Sequence, residues 1–98
     1  MISKTLMDAV TSNTTGEWVE FAEGEKTFQI DVSGTATVVL EATNDQTLTA
    51  VQLISVTASG GFENSAPWKY VRAVTSGMSG ASVTVIATRG SAYPRWQE

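Results

Sequence analysis

The sequence predicts an all-β fold, a small antiparallel β-sandwich or jelly roll of about six to eight strands. Three observations predict it. The composition is rich in Thr, Ser, Val, Ala and Gly and poor in Lys, Leu and other helix formers. Apolar and polar residues alternate with the period of two that a half-buried strand requires. Residues that favour turns punctuate those runs at short intervals.

The clearest alternation is Lys26-Thr27-Phe28-Gln29-Ile30-Asp31-Val32, in which Phe28, Ile30 and Val32 share one face and Lys26, Gln29 and Asp31 are expected off it. Ser33-Gly34 reads as a tight turn, and Thr35 to Ala42 as the antiparallel return strand of a hairpin. Asn44-Asp45-Gln46 breaks the pattern, and the β-branched run from Leu48 to Ala58 forms a further strand. Ser59-Gly60-Gly61 opens a loop through Phe62, Glu63 and Asn64, and Pro67 fixes the chain before a strand over 68–74. Ser76-Gly77-Met78-Ser79-Gly80 is a second glycine-rich turn, followed by a strand over Ser82 to Thr88. Upstream, Trp18-Val19-Glu20-Phe21 is a short edge strand, and Leu6 to Val10 pairs as part of an N-terminal arm over residues 1–16.

A chain of 98 residues is one domain on size, burying about 60–65% of the surface its unfolded form would expose. Without cysteine there is neither a disulfide framework nor a thiolate nucleophile. No run approaches the roughly 18 apolar residues of a membrane helix. Asp8 soon after Lys4 leaves no signal-peptide core, so a soluble, unprocessed chain with no membrane partner is expected. A net charge of −4 with six Lys and Arg argues against nucleic acid as a partner. Residues 1–49 hold Lys4 and Lys26 against eight carboxylates, whereas residues 50–98 hold four cations against Glu63 and Glu98. That imbalance suits head-to-tail contact between copies.

Catalysis has few players. Histidine and cysteine are absent, and neither a Gly-x-Ser-x-Gly elbow nor a Gly-Lys-Ser phosphate loop occurs, so no enzyme, cofactor or metal is expected. Glu17, Glu20, Glu23 and Glu25 read as a solvated acidic edge. Asn44 and Asp45 read as turn caps, although their oxygens could also face a calcium ion. The concentration of chemistry is Trp68-Lys69-Tyr70-Val71-Arg72, where Trp68, Tyr70 and Arg72 share a strand face. Trp18, Trp68 and Tyr70 are either core aromatics or a ledge for a sugar ring, with the core reading preferred. Tyr93, Arg95 and Trp96, in a docking tail over 90–98, are interface candidates, since Trp, Tyr and Arg anchor interfaces.

Four stretches, Thr5 to Thr11, Lys26 to Gln29, Val39 to Asp45 and Ala66 to Ala73, resemble a group of small virion proteins of tailed bacteriophages over about residues 5–88. Many of those have a Ser-Asn-Asp-Gly turn followed by Trp, where this chain has Thr43-Asn44-Asp45-Gln46 and then Leu48. The resemblance implies a β-sandwich or jelly-roll component of the particle. A non-enzymatic capsid decoration or cement protein is the expected function, located in the virion, with the major capsid protein and copies of itself as partners. The alternative is a carbohydrate-binding adsorption module of a head fibre or tail, with a host glycan as ligand.

Overall fold

The computed structural model describes residues 2–21, 26–64, 66 and 68–89. These form six strands: β1 (Ile2–Val10), β2 (Val19–Glu20), β3 (Lys26–Thr43), β4 (Val51–Val56), β5 (Gly60–Asn64) and β6 (Tyr70–Arg89). The all-β expectation holds, in a single antiparallel sheet ordered β1-β6-β3-β4, with β2 on β6 and β5 on β3.

β3 and β6 run beside each other from Lys26↔Arg89 to Thr43↔Tyr70. Residues 2–20 follow the far side of β6, from Ile2↔Arg89 through Thr15↔Val74 to Glu20↔Tyr70. β4 and β5 follow the far side of β3 in the same way. The sheet is therefore four long lines of chain, each interrupted near its middle.

Those interruptions correct the hairpin expected at Ser33-Gly34 and the reversal expected at Ser76 to Gly80. Both places are creases, and the strands continue through them with irregular register between Ser33 and Thr37. Gly34, Gly77 and Gly80 have positive φ, a backbone that glycine adopts without penalty. The chain bends there without turning back.

Alternation keeps one face inward on both sides of the crease. Phe28 and Ile30 precede it and Val38, Leu40 and Ala42 follow it in β3; Val71 and Ala73 precede it and Val83, Val85 and Ala87 follow it in β6. All belong to one apolar cluster, completed by Leu6, Met7 and Phe21. Each fully buried valine or leucine there contributes about 1.5–3 kcal/mol relative to exposure. The ends of the lines meet as well: Lys4 Nζ donates to the Glu20 carbonyl at 2.8 Å and lies 5.5 Å from the Phe21 ring centroid. Laid flat, sixteen residues of strand would separate those positions by about 50 Å. The sheet is folded over its own apolar face.

Counting the creased lines as eight segments in chain order, one half of the sheet reads 1-8-3-6 and the other 2-7-4-5. This is jelly-roll connectivity carried by one hydrogen-bonded sheet.

Two further expectations are corrected. Gly60 to Asn64 is a strand rather than a loop, because its backbone pairs with Lys26 to Ile30 and Phe62 stacks on Phe28, ring centroids 6.0 Å apart. Lys26 lies on the inward face with Phe28 and is 0% exposed, its ammonium donating to the Ala66 carbonyl at 3.1 Å. A lysine is tolerated there because its donors find acceptors.

Candidate interface on the outer face

β6 points Val71 and Ala73 inward, so Tyr70 and Arg72 point outward. The preferred reading, that Trp18, Trp68 and Tyr70 are core aromatics, is corrected for Trp18 and Tyr70. The small, apolar row of Val71 and Ala73 fits the buried cluster with Leu40 and Val38 better than a row containing a guanidinium. Trp68 itself is half-buried and packs against the edge of the core, while Trp18 and Tyr70 are half-buried outside it.

Arg72 is held from two sides. Glu41 stands opposite it in the β3–β6 register, and Arg72 Nε donates to Glu41 Oε1 at 2.8 Å, both side chains about one quarter exposed (24% and 23%). The guanidinium also lies over the Trp18 ring, 4.2 Å from its centroid. Val19 pairs with Val71, which sets Trp18 beside Arg72. Gln52, opposite Glu41 on β4, completes a row across the sheet from Trp18 to Gln52. Lys69 Nζ sits 5.4 Å from the Tyr70 ring centroid. Two aromatic rings, two cations and one carboxylate thus form a pre-ordered surface. The partly exposed ion pair and the cation–π contact are each worth about 0.5–1 kcal/mol.

Sequence reasoning singled out Trp18 and Tyr70 as core or ligand-platform aromatics and Arg72 as a residue on the Tyr70 face, but missed Glu41. The pairing of Glu41 with Arg72 depends on strand register and leaves no local signal 31 residues apart.

Asp45 acts as a turn cap, whereas Asn44 ties the turn to a distant segment. Asp45 Oδ1 accepts from the Thr47 backbone N–H at 2.9 Å and its hydroxyl at 2.7 Å, and Asn44 Oδ1 accepts from the Lys69 N–H at 3.0 Å. The Thr47 backbone bond first, and its hydroxyl second, hold the Asp45 carboxyl below its ordinary value. Among the described residues no three of His, Cys, Asp and Glu gather where they could hold a metal. Tyr93, Arg95 and Trp96, together with Glu23 and Glu25, lie outside the described residues.

On the other half of the sheet a trough of about 490 Å³ opens over Gly60 and Gly61, flanked by Gln29, Asp31, Ser59, Ile86 and Thr88. A Cβ on Gly60 would meet nothing within 4 Å, and one on Gly61 only ordinary contact, so packing does not demand glycine at either place. Their missing side chains are what open the trough.

Comparison with known proteins finds no matching family model, curated protein or solved structure.

Proposed function

We propose that the protein is a non-enzymatic structural component of a bacteriophage virion, a capsid decoration or cement protein that docks through the outer face carrying Trp18, Tyr70 and Arg72. The observation that carries this reading is the fixed Trp18–Arg72–Glu41 array. Tryptophan, tyrosine and arginine are the residues in which interface energy concentrates, and an array already ordered by its own sheet loses little entropy on docking. The sequence resemblance to small virion proteins supports the same reading.

The test is co-sedimentation of the purified chain with capsids stripped of accessory proteins, alongside electron microscopy of intact particles. Saturable binding that falls tenfold or more for Arg72→Ala and Tyr70→Ala, with folding retained, supports the proposal. Absence of binding, or a protein found elsewhere in the particle, defeats it.

The Gly60–Gly61 trough favours a second reading, a carbohydrate-binding adsorption module. Hydroxyl and amide groups of Ser59, Thr88 and Gln29 offer donors and acceptors, and Ile86, 38% exposed, offers an apolar surface for the C–H face of a sugar. Host cell-wall polysaccharide that binds the chain, and loses that binding in Gly61→Leu, would favour this module over the decoration protein.

A further inference from the structure

The sheet has open edges, and unpaired strand edges invite pairing with another chain unless they are blunted. β1 is blunted by Lys4 and Asp8, by two register irregularities, and by Ala9 with φ of 50°. The other edge on that side is broken into one bridge at Thr15 and the two-residue β2, with Glu17 and Glu20 exposed. β5 has five residues and carries Glu63.

β4 differs. From Gln46 through Phe62 no residue is charged, so the whole of β4 and its connection to β5 are neutral in a chain of net charge −4, and Asp45 is the one charge in the connection from β3. β4 pairs only with β3 among the described residues, which leaves its other side open. Its single irregularity is at Leu53, the extra residue between the Leu40↔Ile54 and Glu41↔Gln52 pairs. Leu48, 66% exposed, and Val51, 44% exposed, stand at its entrance, two of the three large apolar side chains most exposed among the described residues.

We propose that β4 is an assembly edge, and that its partner is β4 of a second copy of this chain, added antiparallel about a two-fold axis. The two sheets then continue through one another. A neutral strand suits itself as partner, because two-fold pairing sets each residue against the same strand and like charges there would oppose one another. Main-chain hydrogen bonds supply the attraction, and Leu48 and Val51 supply apolar contact beside them. A foreign peptide selected by charge would find none to pair with along β4, where the exposed Gln52 and Ser55 are neutral. The pairing uses the main chain along the β4 edge, whereas capsid attachment through Trp18, Tyr70 and Arg72 uses side chains on the face of the sheet.

The test is sedimentation velocity on the full chain over roughly 1 µM to 1 mM, the range in which weak pairing through one strand is populated. A concentration-dependent dimer is expected. Ser55→Lys and Ser55→Glu should each weaken it tenfold or more, and an equimolar mixture of the two should recover it as a heterodimer. Recovery also guards against misfolding as the cause, because a misfolded chain is not rescued by mixing. Backbone amides of Gln52 to Val56 should exchange more slowly at high concentration in the unsubstituted chain. A monomer throughout the range overturns the proposal, as does a dimer unmoved by both Ser55 substitutions or abolished instead by Thr5→Lys on the β1 edge.

Discussion

Gly34 and Gly80 approach across the β3–β6 pair more closely than any side chain allows. A Cβ built on Gly34 would lie 2.3 Å from the Gly80 carbonyl oxygen and 2.8 Å from the Ala81 Cα, both backbone atoms. Gly34 also has φ of 85°. The crease in the sheet thus depends on two absences, a missing side chain and a missing φ restriction. Since every line of chain crosses the crease, the folded-over core depends on it too.

Gly34→Ala should therefore cost at least about 2 kcal/mol, above the 1–3 kcal/mol range's lower end for backbone strain alone, because the clash adds to it. Denaturant unfolding checks this. Gly77→Ala, where a Cβ meets nothing within 4 Å, should cost less, since only the positive φ is strained. Equal costs at the two positions would mean that the close approach is unimportant.

Inward and outward rows should differ sharply in stability. Phe28→Ala, at a site 1% exposed, should cost about 3–5 kcal/mol. Tyr70→Ala, on the outer face, should cost under about 1.5 kcal/mol. A larger loss at Tyr70 than at Phe28 would contradict the burial pattern described above.

Arg72 and Glu41 should be coupled, though weakly, because both are partly solvated. A double-mutant cycle with Arg72→Met and Glu41→Gln should return about 0.5–1 kcal/mol, falling as salt is added. A coupling near zero at low salt would show that the pair does not order the face.

Asp45 should titrate below an ordinary aspartate, whose value is 3.8, because Thr47 donates two hydrogen bonds to its ionised form. Since the folded value lies below the unfolded one, the associated stabilisation is present above about pH 4 and is lost as pH falls through the folded value. Carbon-detected NMR titration should show the Asp45 midpoint rising toward the ordinary value in Thr47→Val. An unchanged midpoint would remove Thr47 as the cause.

Much of the fold was legible because alternation is a local property. The strands around Phe28–Ile30, Val38–Leu40, Val71–Ala73 and Val83–Val85 follow from a period of two, whatever they pair with. The cap formed by Asp45 was equally legible, since it acts within its own turn, whereas the partner of Asn44 lies 25 residues away at Lys69.

What remained for the tertiary structure was every question of partner. Ser33-Gly34 has the chemistry of a hairpin turn, and only the unbroken β3–β6 pairing makes it a crease. Gly60-Gly61 has weak strand propensity, and pairing with Gln29 and Ile30 makes it an edge strand all the same. Lys26 is inward because it shares parity with Phe28 and finds the Ala66 carbonyl, an acceptor 40 residues away. Arg72 faces outward because Val71 and Ala73 fit the folded core better, and it is held there by Glu41 and Trp18 from two other lines of chain. A sequence states which residues alternate. Which alternate row is buried, and whether a flexible residue reverses the chain or merely bends it, is decided by contacts between distant segments, whose free energy exceeds any local preference.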